Sequence, residues 1–178
     1  TVFTPEVDET PLRGEQPADY AKRVALLEAR AAREAAAARG DLVIACDTIV
    51  TLEGAIIGKP RDFSHAIEIL TALQGRTHHV VSALALTHGA LSLCESESTG
   101  VRFKTLRRDE IVRYLNSIDY ADKAGAYAIQ ENGSRIIQSI GGSLSNVIGF
   151  PMRLLLRMMR EHGMMEHFAL AEHVRTSN

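Results

Sequence analysis

Apolar positions recur along this chain with two different periods, and the change of period marks the elements. From Pro17 to about Arg39 the spacing is helical. Val24, Leu27 and Ala31 share one face, while Lys22, Arg33 and Glu34 occupy others. Alanine enrichment favours the helix, Pro17 suits its first turn and Gly40 stops it. Arg30 is the cation beside that apolar face, where a long side chain snorkels to solvent. Leu42 to Ala45 is an unbroken apolar run that reads as a buried strand ending on Cys46 and Asp47. Thr48 to Thr51 continue it, Glu53-Gly54 turns the chain, and Ala55 to Ile57 return, so Leu42 to Pro60 predicts a hairpin. Asp62 to Gln74 predicts a second amphipathic helix with Ala66, Ile67, Ile69, Leu70 and Leu73 facing inward, stopped by Gly75.

Thr77 to Thr87 and Leu91 to Lys104 predict a long hairpin about Gly89, with Gly100 marking a bulge or a close backbone approach. Arg107 to Asn116 predicts a short helix whose first turn carries Asp109 and Glu110, where the helix dipole favours carboxylates. The small residues of Asp122 to Gln130 predict a tightly packed core strand, or else a place where backbone approaches a ligand. Asn132-Gly133 reads as a turn, and Ile136-Ile137 as a short apolar piece. Gly141-Gly142-Ser143 precedes a last long helix, about Ser145 to His162, whose start offers N–H groups to an anion. Met158, Met159, Met164 and Met165 suit packing in a core or between subunits. Residues from about 171 to 178 read as a frayed tail. Helices and strands thus alternate without a strict βαβ rhythm, which predicts an α/β fold: an elongated mixed β-sheet flanked by helices.

The 178 residues fit a single domain spanning 1–178, with ample length for a core. The net charge of −2 supplies no global basic field, and an aromatic content of 5% without tryptophan gives no base-stacking platform, so no nucleic-acid partner is expected. No apolar run approaches the roughly 18 residues of a membrane helix, and no membrane partner is expected. Cys46 and Cys94 lack a metal-type spacing and suit small core positions in a reducing cytosol, so a cytoplasmic location is expected. The opening Thr1-Val2-Phe3 reads as the tail of a strand already under way, and a true N-terminus upstream is expected.

Chemistry concentrates on the first hairpin. Asp47 closes one strand, and Lys59 follows the other. A carboxylate beside a cation at strand ends suits a metal–phosphate site; equally, the pair reads as an ion pair on a surface hairpin. His78 and His79 are adjacent on a strand, so they point to opposite faces and do not chelate one ion together.

Five stretches then line up, in order, with one family. Ala45-Cys46-Asp47-Thr48, Gly58-Lys59-Pro60, Gly75-Arg76-Thr77-His78, Asp122 to Gln130 (DKAGAYAIQ) and Gly142 to Pro151 (GSLSNVIGFP) resemble the motifs of the Maf family of nucleoside triphosphate pyrophosphatases. Asp8-Glu9 falls where that family has its Asp-Glu pair. The resemblance implies a fold similar to inosine triphosphate pyrophosphatases, a homodimer, and metal-dependent cleavage between the α and β phosphates of a nucleoside triphosphate. It implies that Asp47 is the proton acceptor and that Thr48 and Gln130 set base specificity. Asp-Thr together with DKAGAYAIQ resembles the branch acting on dTTP and UTP. A divalent cation, Mg2+ or Mn2+, is then expected on Asp47 and Glu9, with Lys59, Arg76, Lys123 and Arg30 offsetting phosphate charge.

Two departures stand out. The family's opening strand and Ser-x-Ser-Pro-Arg-Arg loop are missing, and Arg30 stands where the family usually has Lys, a replacement that keeps charge but not geometry. The alternatives are a pyrophosphatase of other base preference, such as 7-methyl-GTP, and an inactive Maf-like protein that binds partners in cell-division control.

Overall fold

The computed structural model describes residues 2–36 and 41–166. Its elements in chain order are α1 (Pro17–Ala36), β1 (Val43–Leu52), β2 (Ala55–Ile57), α2 (Phe63–Leu73), β3 (Thr77–His88), β4 (Leu91–Phe103), α3 (Arg108–Leu115), β5 (Ile137–Gly141), α4 (Leu144–Ile148) and α5 (Met152–Glu161). Two short 3-10 turns, Ala124–Ala126 and Gly133–Arg135, lie between α3 and β5. The strands form one sheet in the order β2-β1-β3-β4-β5. Every described pairing is antiparallel, so the α/β class stands but the sheet is not mixed. The reason is connectivity: β1–β2 and β3–β4 are tight hairpins, which pair antiparallel by construction.

The sheet has two differently covered faces. Ile49, Val81, Ala83 and Ala85 bury against Tyr20, Ala21, Val24, Ala25 and Ala29 of α1. The alanines let helix and sheet approach closely. The buried stripe of α1 is therefore rotated from the Val24–Leu27–Ala31 face that spacing suggested, and Leu27 is only half-buried. On the other face Val50, Val80, Val101 and Phe103 pack with α2 and α3, while Leu84 and Leu86 pack with Leu154, Leu155, Met158 and Met159 of α5. Truncating one such fully buried leucine, Leu84 or Leu70, costs about 2–5 kcal/mol.

α2 buries the five residues its period named, and its N-cap Asp62 accepts from the His65 N–H at 2.8 Å. Two elements differ from expectation. Asp122 to Gln130 is not a strand, because Gly125 and Ala126 hold φ of 74° and 58°. Such left-handed backbone breaks a strand and costs a non-glycine residue about 1 kcal/mol or more. The last helix is two helices. Gly149 ends α4 at φ 108°, and Pro151 forbids continuation before α5 begins. Met158, Met159 and Met164 are core residues, whereas Met165 is exposed. The tail at about 171–178 lies outside the described residues.

Candidate active site

The β1–β2 hairpin turns through Glu53 and Gly54, both at positive φ. Its ladder runs from Leu52↔Ala55 to Val50↔Ile57 and stops there. The outer edge of β1 from Val43 to Ile49 carries no partner strand among the described residues. Continuing the register past Ile57 sets Lys59 beside Thr48. Gly58 is held by another segment: its carbonyl accepts from the Gly125 N–H at 3.1 Å. Gly125 must be glycine there, since a Cβ would stand 3.0 Å from the Val50 Cγ2 atom and the backbone is left-handed. This contact brings Lys123 to the same end of the sheet as Lys59.

The result is a cleft of about 300 Å³. Thr48, Val50 and Val80 form its floor, Lys59, Lys123 and Gln130 lie along it, and Val147, Ile148 and Gly149 close the far wall. The wall carrying Gln130 is fixed on both sides. Tyr114 of α3 donates its hydroxyl to the Ala128 carbonyl and accepts from the Ala128 N–H, both at 3.1 Å. The Tyr127 hydroxyl lies 2.8 Å from His78 Nε2. His78 is fully buried, and burial pulls its pKa down to about 4, so it is neutral near pH 7. Its neighbour His79 is exposed on the opposite face, as strand alternation requires.

Thr48 and Asp47 are consecutive on one strand and so point to opposite faces. Thr48 lines the cleft. Asp47 lies on the α1 side, within electrostatic reach of Glu28, Glu9 and Lys59. Its Oδ2 atom is buried with no hydrogen-bond partner. Burial, then the Glu9 charge, pushes its pKa up to about 6, against a hydrogen bond from the Thr48 backbone and attraction from Lys59. Glu28 is raised to about 7 by burial and by Asp47 and Glu9. Lys59 connects the two sides: it lines the cleft and also attracts Asp47, Glu28 and Asp122. Among the described residues no group of three or more His, Cys, Asp or Glu closes on one point. Asp47 Oδ2 is nevertheless a free anionic oxygen, which fits a hard cation completed by substrate oxygens and water.

The structure therefore gathers Thr48, Lys59, Lys123 and Gln130 at the cleft, and Asp47 with Glu9 behind it. It does not bring Arg30 there. Arg30 is exposed in a groove on the outer side of α1 with Asp19, Lys22 and Arg23, because the helix turns its alanines, not its Leu27 side, toward the sheet. Arg76 is not among the cleft residues either; it is ion-paired with Glu53 at the hairpin tip. At the GGS stretch two N–H groups are used within the protein: Ser143 caps α4 by accepting from the Asn146 N–H at 3.3 Å, and its own N–H donates to the Thr99 hydroxyl at 3.2 Å. Glu28 was missed. Its signal was present: it follows Tyr20 and Val24 at steps of four, so a carboxylate occupies a seat in the buried stripe.

Comparison with known proteins places the chain in a family. The model of the Maf-like protein family matches residues 1–162. The chain belongs to the Maf family. Among curated relatives of this Maf chain, the dTTP/UTP pyrophosphatase of Symbiobacterium thermophilum is 39% identical over 162 residues, covering 91% of this chain and 82% of that protein. The dTTP/UTP pyrophosphatases of Methylococcus capsulatus and Nitrosospira multiformis are each 42% identical, covering 89% and 88% of the Maf chain and 78% and 77% of theirs.

Proposed function

We propose that this protein hydrolyses dTTP and UTP to the nucleoside monophosphate and pyrophosphate. The observation that carries the reading is the division of labour across β1: a cleft with an uncharged floor at Thr48 on one face, an unpartnered Asp47 carboxylate on the other, and Lys59 at the open edge between them. The names of the relatives support the same reaction.

In this reading the base enters the cleft between Thr48 and Gln130. The triphosphate crosses the open edge of β1, where Lys59 and Lys123 offset its charge. Asp47 accepts the proton of the water that attacks the α phosphorus, and pyrophosphate leaves. A carboxylate raised toward neutrality holds a proton more readily than an ordinary one, which suits a base working near pH 7. A divalent cation, Mg2+ or Mn2+, supplies charge neutralisation and Lewis acidity when bound, with Asp47 and Glu9 or Glu28 as its protein oxygens. The protein acts in this reading as a cytoplasmic homodimer on a small-molecule substrate. No described helix is long and apolar enough to cross a membrane.

The test is release of pyrophosphate by the purified protein over a panel of nucleoside triphosphates, with Mg2+ and with Mn2+. dTTP and UTP are expected to be turned over most efficiently. Preference for 7-methyl-GTP overturns the base assignment. Release of orthophosphate, or no release from any nucleotide, overturns the reaction.

A further inference from the structure

Behind the cleft floor lies a set of hydroxyls and carbonyls that contacts Thr48, together with Cys46 Sγ, which reaches the Gly149 carbonyl at 3.2 Å. Thr48 and Ser82 face each other across the β1–β3 ladder, with Oγ1 and Oγ 2.8 Å apart. Thr48 Oγ1 also lies 3.2 Å from the Gly149 carbonyl, and Ser82 Oγ lies 3.3 Å from the Asn146 carbonyl. Both carbonyls come from α4 and its end, and α4 is itself held. The fully buried Asn146 amide nitrogen reaches the carbonyls of Val80 and Glu97 and the Thr99 hydroxyl at 3.1, 3.3 and 2.9 Å. These bonds anchor α4, which carries both acceptors, to β3 and β4.

Each hydroxyl has one hydrogen. If Ser82 donates to Thr48, the Thr48 hydrogen goes to the Gly149 carbonyl. If Thr48 donates to Ser82, the Ser82 hydrogen goes to the Asn146 carbonyl. In both patterns the Thr48 hydrogen is bonded inside the protein, and only a lone pair remains for the cleft. We infer that Ser82 is a positioning residue that locks Thr48 as a hydrogen-bond acceptor, so that the cleft selects a base edge carrying a central N–H, as in uracil and thymine, over one carrying a lone pair there, as in cytosine. The inference rests on the proposed pyrimidine triphosphate site and adds the residue that sets its polarity. Ser82 is fully buried behind Thr48 and touches no substrate; its action passes through the Thr48 hydroxyl.

Replacing Ser82 with alanine removes the shorter of the two inward acceptors for the Thr48 hydrogen. It leaves the 3.2 Å contact to the Gly149 carbonyl, for which Cys46 Sγ also competes at 3.2 Å, so the hydrogen turns into the cleft and donates to cytosine more often than in the wild type. The experiment compares kcat/KM for UTP and CTP in wild type, Ser82→Ala, Thr48→Val and the double variant. Ser82→Ala is expected to lower the UTP:CTP ratio roughly fivefold, the scale of one hydrogen bond in a partly enclosed site. In the Thr48→Val background the same change is expected to leave the ratio where it is, because there is no hydroxyl to orient. A ratio unchanged by Ser82→Ala overturns the inference, and so does an equal fold-change in both backgrounds, which marks a purely structural role. Ser82→Cys, of similar size and with a weaker donor, serves if alanine does not fold, with the same expected direction and the same overturning results. Wild-type protein inactive on every triphosphate overturns the proposed reaction and this inference together; activity with an unmoved ratio overturns the inference alone.

Discussion

The two sides of β1 handle polar groups in opposite ways. On the cleft side the Thr48 and Ser82 hydroxyls bond each other and the α4 carbonyls, and the Asn146 amide nitrogen bonds the Val80 carbonyl. The donors are thus placed, and the one unpartnered atom among these three side chains, Asn146 Oδ1, is uncharged. On the α1 side Asp47, Glu28 and Glu9 lie within electrostatic reach of one another, with one buried oxygen unpartnered and two carboxyl groups pushed toward neutrality. Unpaired buried carboxylate is costly, and proteins rarely keep it without use. The difference teaches that the cleft side is arranged by its own hydrogen bonds, whereas the α1 side keeps a buried carboxylate oxygen open to a donor or a cation. The sharpest way to break this contrast is Asp47→Asn, which keeps size and removes charge and basicity. Turnover is expected to fall about 10²–10⁴-fold, the range of a general base. The fall should persist at saturating metal, and pyrophosphate release from UTP and dTTP measures it. Wild-type-like turnover in folded Asp47→Asn removes Asp47 from the chemistry.

Lys59 tests the link between the two sides. It is exposed, so its removal should cost kcat/KM on the order of tenfold, less than the hundredfold or more of a donor enclosed in a dry site. The melting temperature should hold, because Lys59 makes no described ion pair. A variant that melts early yet keeps its activity per folded molecule assigns Lys59 to the fold. Gln130 sharpens the neutral side. It sits exposed on the cleft, not in a sealed pocket, so Gln130→Ala is expected to shift the UTP:CTP ratio by less than about tenfold. An unmoved ratio excludes it from base reading.

How far these features were readable in the chain depends on their range. The Glu53-Gly54 turn, the inward face of α2 and the opposition of His78 to His79 follow from local period, and the structure has them so. The split of Asp47 from Thr48 follows from the same period of two. What local pattern does not contain is the rotation of α1, which depends on which helix face packs closest to the sheet. From its spacing Arg30 reads as snorkelling to solvent, and it is exposed; only the family resemblance places it on the phosphates, and the alanine stripe that packs on the sheet carries Glu28 inward and leaves Arg30 out. The Gly58–Gly125 bond and the Ser82–Asn146 contact join distant segments, and no spacing encodes them. The break at Gly149 and Pro151 was visible as residues but hidden by an apolar rhythm that runs across it.

The smallest effect concerns stability, and it isolates the charged side without any nucleotide. Glu28 has a folded pKa of about 7 against an ordinary 4.5, raised first by burial and then by Asp47 and Glu9, with Lys59 opposing. A raised folded value means that the folded state holds the proton more tightly than the unfolded chain. The stabilisation this gives is complete below pH 4.5 and is lost as pH rises through about 7. Asp47 adds a stabilisation of the same sign, complete below its ordinary 3.8 and lost as pH rises through about 6. Glu28→Gln removes its own share, so the variant should gain melting temperature over wild type as pH goes from 5 to 8. Glu28 is only half-buried, so solvent screening reduces the effect to about 1 kcal/mol, or about 2–4 °C. Added Mg2+ should narrow the gap at pH 8, because a cation stabilises the ionised carboxylates of the wild type more than the amide. Equal melting curves for Glu28→Gln and wild type at both pH values would place Glu28 in solvent and dissolve the carboxylate cluster on which the contrast between the two faces depends.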